Sequence, residues 1–278
     1  MIHWGIIGAG RIAHRFVKGL SYDSDSILEA VSCRTAEKAQ RFAKEYQCPK
    51  AYGGFENIVN DPDIDAVYVA VPHAFHIEWV IRCMKAGKAV LCEKPMALNA
   101  EQVREIMQVQ KETGVLCMEA MKTRFVPLYH EITETVRNGT IGELTRIQTS
   151  FCYSADLSND TAYYNQPVGG GALLDVGIYN ASWIAELIHE PLEMDWVRAV
   201  CRNGIDLYTD AFLHSEHCSA ILECGFDRVK EKTMILFGTG GRIKVFDFHR
   251  PVKAEVLLDD GRRYSLEKGY EGDDMASE

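Results

Sequence analysis

The chain has 278 residues, 47% of them hydrophobic and 25% charged, with a net charge of −10. That balance suits a soluble globular protein of one large domain or two ordinary ones, and the acidic charge argues against nucleic acid as a partner. No apolar run approaches the roughly 18 residues of a membrane span. No signal peptide precedes the strand-like start at Met1-Ile2-His3-Trp4-Gly5, and nine cysteines without a CxxC pair point to reduced thiols in the cytoplasm.

Short, near-continuous apolar runs at Trp4–Gly8, Ile27–Ser32, Ala66–Val71, Ala89–Cys92 and Val115–Glu119 predict strands buried on both faces of a parallel sheet. Between them Ile12, Phe16 and Leu20 repeat at helical spacing. Thr35 and Asn99 are suited to N-caps, and Gly87 and Gly114 to helix ends. This alternation predicts a doubly wound α/β domain over residues 1–122.

From residue 123 to 278 the pattern changes to an α+β domain. Pro127 suits the first turn of a helix over Leu128–Arg137, and a second helix is expected over Ala172–Ile188. Strands are expected at Leu144–Tyr153, Met194–Cys201, Ser219–Cys224, Thr233–Phe237, Arg242–Phe246 and Lys253–Leu258. Several alternate polar and apolar residues, as a largely antiparallel sheet with one covered face requires. An uncovered apolar face would be buried in a homodimer or higher oligomer. The last ten residues, Gly269–Glu278, are acidic and expected to be loose at the end.

Gly8-Ala9-Gly10-Arg11-Ile12-Ala13 follows the first strand and opens the first helix. Gly8 permits a tight turn, and Gly10 lets the backbone approach a pyrophosphate at the helix N-terminus. The second strand ends Ser32-Cys33-Arg34-Thr35 without the acid that binds the ribose hydroxyls of NAD. Arg34, assisted by Ser32 and Thr35, instead suits the 2′-phosphate of NADP, so NADP is favoured over NAD.

Four motifs in order complete the pattern: the glycine loop, Val71-Pro72-His73-Ala74-Phe75-His76, Glu93-Lys94-Pro95, and Gly170-Gly171-Ala172-Leu173-Leu174-Asp175-Val176-Gly177-Ile178-Tyr179. From Met1 to about residue 250 the chain resembles the Gfo/Idh/MocA oxidoreductases. The final Tyr179 and Thr123-Arg124-Phe125-Val126-Pro127 look most like the branch of dimeric dihydrodiol dehydrogenases and NADP-dependent sugar dehydrogenases. The resemblance implies a Rossmann domain, a C-terminal domain with an open-faced sheet, and an active site between them. It implies a cis peptide at Lys94-Pro95 and places Pro72, His73, His76 and Glu93 near the cofactor.

Lys94, at the carboxyl end of a strand, can hold a substrate oxygen. Asp175 and Tyr179, four apart, share one helical face. Tyr179 would transfer the proton, its pKa lowered from about 10 by the Lys94 ammonium, with Asp175 orienting the substrate or Lys94. Arg124 is expected to reach the cofactor or close a salt bridge between domains. His214-Ser215-Glu216-His217 lacks the further ligands of a metal site, so no metal is expected.

The expected activity is hydride transfer between a nicotinamide and a secondary alcohol or ketone of a sugar, polyol or cyclic diol. The alternatives are a non-catalytic dinucleotide-binding regulator and a nicotinamide-dependent glycoside hydrolase. Lys122 occupies a position that is commonly aromatic in this branch, which favours a more polar substrate. The family pattern also continues beyond Glu278 with helices that pack on the Rossmann domain; either the chain is truncated or those helices are absent, and their loss would expose core surface, so reduced stability or a compensating interface is expected.

Overall fold

A computed structural model describes residues 1–159, 162–270 and 272–277. Two compact units divide the chain. The first comprises Met1–Met121 with residues 272–277, and the second is Lys122–Tyr270. The division falls one residue before the expected position, and the final residues belong with the first unit rather than the second.

The first unit contains β1 (Ile2–Ile7), β2 (Ser26–Cys33), β3 (Lys50–Gly53), β4 (Ala66–Val69), β5 (Ala89–Glu93) and β6 (Cys117–Ala120). They form one parallel sheet of order β3-β2-β1-β4-β5-β6. The order reverses at β1, so the carboxyl ends of β1 and β4 flank the position where such sheets bind ligands. The helices are α1 (Arg11–Leu20), α2 (Ala36–Tyr46), α3 (Glu56–Asn60), α4 (His76–Lys85) and α5 (Ala100–Thr113). Alternate strand residues enter two separate cores: Ile7, Val67 and Val69 join one, and Ile6, Val31 and Tyr68 the other. Burial on both faces accounts for the unbroken apolar runs. Thr35 accepts the Lys38 N–H at 3.4 Å and Asn99 accepts the Gln102 N–H at 3.0 Å. Caps of this kind contribute about 1 kcal/mol each.

Residues 272–277 are packed rather than loose, and Glu271 and Glu278 lie outside the described residues. Met275 is buried in the same core as Phe16, and its backbone lies so close to Gly19 that a β-carbon there would stand 2.9 Å from the Met275 carbonyl carbon. Arg15 pairs with both Asp273 and Asp274. Buried apolar surface and two ion pairs thus overcome the local acidic composition.

The second unit begins with α6 (Pro127–Arg137). Its eight strands are β7 (Leu144–Cys152), β8 (Glu193–Arg202), β9 (Ile205–His214), β10 (Ser219–Gly225), β11 (Thr233–Gly238), β12 (Gly241–Phe246), β13 (Lys253–Leu258) and β14 (Arg263–Glu267). They are ordered β14-β13-β12-β11-β7-β10-β9-β8, and only β7 and β10 pair in parallel. Ile147, Leu222, Met234, Ile243 and Val256 are buried on one face. A second helix, α7 (Ile178–Leu187), packs on β7 and β10.

Candidate active site

The glycine loop fits a dinucleotide. Gly8 has φ +101°, and a β-carbon there would lie 2.5 Å from the Ala70 carbonyl oxygen at the end of β4. Only glycine tolerates both conditions. Gly10 differs: its φ is −89°, and nothing lies within 4 Å of where its β-carbon would be. That open space stands at the start of α1, whose first turn has no side-chain cap and no acidic residue. Unpaired N–H groups and the helix dipole suit a pyrophosphate there. Arg11 is exposed, Ile12 packs partly into the core, and Ala13 is fully buried against the sheet.

At the end of β2, Arg34 is exposed, and none of the described acidic side chains pairs with it. Thr35 is exposed and caps α2. Ser32, just before them in β2, differs in exposure. It is fully buried, with its hydroxyl directed at the Ile6 carbonyl at 3.5 Å, because its side chain points into the sheet packing.

Lys94 directly follows β5, and the Lys94-Pro95 peptide is cis, as the resemblance implied. Glu93 is buried and accepts a hydrogen bond from the Tyr68 hydroxyl, which ties β5 to β4. His76 lies deeper than the neighbouring Pro72. It is fully buried, with Nε2 at 2.8 Å from the Val71 carbonyl and Nδ1 at 2.8 Å from the Pro95 carbonyl. It links the end of β4 to the residue after Lys94 and has no surface left for a ligand. Burial holds its pKa below the ordinary value against the two carbonyl bonds, and the Lys94 charge lowers it further. Pro72 is exposed, and His73 is buried with its ring edge-on to His76 at 5.5 Å.

In the second unit, the triple glycine and the residues after it form a turn that only this sequence allows. The Gly171 N–H bonds to the Tyr164 carbonyl at 2.9 Å, and a β-carbon on Gly170 would collide with the carbonyls of Gln166 and Tyr164. Gly171 has φ +99°, and a β-carbon there would overlap the Asp206 carboxylate. Leu173–Gly177 is π-helical before α7 begins, so Asp175 sits in a π turn rather than the uninterrupted α-helix expected. Such turns are uncommon and recur at functional sites. Gly177 permits the close pass over β10, since a β-carbon would lie 2.9 Å from Cys224 Sγ.

Asp175 is 3% exposed and Tyr179 7%. The Tyr179 ring lies 5.9 Å from Phe151 and 5.7 Å from His249. The next residue, Asn180, is fully buried, and its amide donates to Thr149 Oγ1 at 3.0 Å and to the Glu223 carbonyl at 2.9 Å. The loop carrying His249 is held by Thr123, which donates to the His249 carbonyl at 2.6 Å, and by Trp183, which donates to the Phe248 carbonyl at 2.9 Å. Asn180, His249 and Asp206 were not singled out from the sequence. The one available signal was Asn180, a lone amide in an otherwise apolar helical segment.

Lys122 is buried at the start of this unit. Arg124 binds the Ser182 hydroxyl at 3.1 Å and Glu186 at 3.3 Å, so its ion pair fastens α7 within its own unit rather than joining the two domains. His214 pairs with Asp195 and His217 with Glu190.

A reversing parallel sheet with a fitted glycine loop defines an NAD(P)-binding Rossmann oxidoreductase. Residues 2–121 match the model of an oxidoreductase family with an NAD-binding Rossmann fold, and residues 129–244 match the GFO/IDH/MocA C-terminal domain. The chain belongs to the Gfo/Idh/MocA family. It is 33% identical to trans-1,2-dihydrobenzene-1,2-diol dehydrogenase of Mus musculus over 92% of this chain and 78% of that one. It is 35% identical to the enzyme of that name from Xenopus laevis, over 88% and 75%. Among solved structures, the 3-ketoreductase KijD10 of Actinomadura kijaniata, in complex with NADP and TDP-benzene, superposes with a TM-score of 0.89 at 25% identity. That match covers 99% of this chain and 86% of the ketoreductase. The chain is an oxidoreductase acting on CH–OH groups, on the diol dehydrogenase branch. Among the described residues, no helix is long and apolar enough to cross a membrane.

Proposed function

We propose that this protein is an NADP-dependent dehydrogenase or reductase acting on a secondary alcohol or ketone of a sugar, polyol or cyclic diol. Support for NADP comes from Arg34, exposed at the end of β2 where no acid stands, and from the NADP bound to KijD10. Arg34 and Thr35 would meet the 2′-phosphate, while the N–H groups at Gly10, Arg11 and Ile12 would meet the pyrophosphate. Pro72, His73 and Glu93 would frame the nicotinamide end. The bound nicotinamide supplies or accepts the hydride.

The observation that carries the proton assignment is the setting of Tyr179, buried beside aromatic rings and one turn beyond Asp175. In reduction the Tyr179 hydroxyl donates its proton to the ketone oxygen, and in oxidation its phenolate takes the alcohol proton. An unperturbed phenol with pKa near 10 is a poor base at neutral pH. Lys94, at the carboxyl end of β5, would hold the substrate oxygen, and Asp175 would fix a neighbouring hydroxyl. A buried lysine at position 122 favours polar substrates over purely aromatic diols. All nine cysteines are free thiols, which accords with a cytoplasmic protein.

The test is cofactor reduction or oxidation with a panel of sugars, polyols, cyclic diols and their ketones. Tyr179→Phe should lower kcat by about 10²- to 10⁴-fold with cofactor affinity unchanged. NADP binding without turnover of any candidate, or a Tyr179→Phe enzyme as fast as the parent, would defeat the proposal.

A further inference from the structure

Asp206, the second residue of β9, lies outside every motif described above. One of its carboxylate oxygens accepts two hydrogen bonds, from the Leu173 N–H at 2.8 Å and from the Thr209 hydroxyl at 2.8 Å. The other stands over Gly171, in the space its missing β-carbon leaves. Leu173 opens the π turn that contains Asp175 and leads to Tyr179. Its N–H belongs to the first turn of a helical segment, where donors lack intrahelical partners and a negative charge is favoured. Asp206 also acts at the floor of this turn. After burial, its charge is the next cause raising the pKa of Cys224, the thiol beneath Gly177.

From this geometry we infer that Asp206 is a positioning residue, whose carboxylate holds the π register that presents Asp175 and Tyr179 to substrate. The alternative register is an ordinary α turn, and a shift of one residue rotates a side chain by about 100° about the helix axis. Asp206 opposes that shift through the main chain by fixing Leu173, while Thr209 orients the carboxylate. This role rests on the proposed use of Asp175 and Tyr179 in catalysis.

Three variants test it. Asp206→Ala removes the acceptor and should lower kcat by roughly 10- to 100-fold, the cost of a displacement near 1 Å in a reacting group. The NADP dissociation constant should stay within about twofold of the parent, since the Rossmann unit is untouched. Asp206→Asn keeps an oxygen that can accept the Leu173 N–H and should recover kcat to within about threefold. A folded Asp206→Ala protein with parental kcat, or equal losses in both variants, overturns the inference.

If Asp206→Ala does not fold, Thr209→Val carries the test. It should lower kcat about 3- to 10-fold with NADP binding intact, and parental kcat there overturns the inference. Absence of turnover in the parent sinks the catalytic reading alone. The positioning role is then read from the Tyr179 titration, followed by NMR of ring-labelled tyrosine. Its midpoint should move in Thr209→Val, and an unmoved midpoint overturns the role.

Discussion

Gly8 and Gly10 are two residues apart, yet the structure gives them opposite constraints. A β-carbon at Gly8 meets backbone at 2.5 Å on a positive-φ residue, whereas one at Gly10 meets nothing. Gly8→Ala should therefore destabilise the protein by about 1–3 kcal/mol in chemical denaturation, through overpacking and backbone strain. Gly10→Ala should change stability by less than about 0.5 kcal/mol yet weaken dinucleotide binding, because only the ligand competes for that space. Arg34→Ala supplies the third comparison. If the guanidinium meets the 2′-phosphate, NADP affinity falls roughly 10- to 100-fold, the worth of a charged hydrogen bond, while NAD affinity holds. Calorimetric titration with both cofactors decides this, and parallel losses would refute the assignment.

Among the elements, the C-terminal segment makes a prediction that depends on pH. Burial pushes the Asp273 carboxyl up, but a hydrogen bond shared with the Asp274 carboxyl and those donated by Arg15 and the Met275 N–H outweigh it and hold it below the usual range. A carboxyl depressed on folding stabilises fully above its unfolded pKa of about 4, and that contribution is lost as pH falls through the lower folded value. Arg15→Ala should raise hydrogen exchange at Met275 and Ala276 at neutral pH. Acidification of the parent below the carboxylate range should likewise lower the protection of these amides relative to their intrinsic exchange rate at that pH. Unchanged exchange in the variant would show that Met275 alone seats the segment.

This segment also shows where local sequence misleads. Its acidity read as a loose end, because Arg15 is some 260 positions away and no local pattern records it. Most strands and both N-caps were legible, since burial periodicity and capping chemistry are local. β9 was not, because a polar Thr209 takes an inward position of its alternation and two carboxylates, Asp206 and Asp210, lower its apolar character. Both have partners supplied by the fold, Leu173 for one and Arg198 for the other. β3 and β14 are short and were hidden for the same reason: their pairing comes from neighbouring strands. Lys94, Asp175 and Tyr179 stand out as residue types, but the π turn that carries Asp175 is bonded at Leu173 to a carboxylate, Asp206, far along the chain. The burial of Ser32 and His76 is likewise set by the fold, and no local pattern records it.

At the scale of the molecule, the sheet of the second unit ends in a strand with no neighbour beyond it. All ten residues of β8 are exposed, among them Met194, Trp196, Val197 and Val200. Trp196 stacks on Phe212, with the Arg198 guanidinium 4.9 Å from its ring. An aromatic and aliphatic patch rimmed by charge suits a second copy of the chain. Sedimentation should therefore show a dimer, and Trp196→Asp should weaken it by about 2 kcal/mol or more, near 30-fold in dissociation constant. A monomeric parent would refute this.

The chain leaves the first unit at Met121 and rejoins it at residue 272. During synthesis the Rossmann sheet emerges complete, but Gly19 and Arg15 wait for partners that are made only after the whole second unit. The nascent domain therefore holds an open seat on α1 until the second unit has been made. A ribosome stalled within the second unit would display a Rossmann domain that is folded but not yet closed.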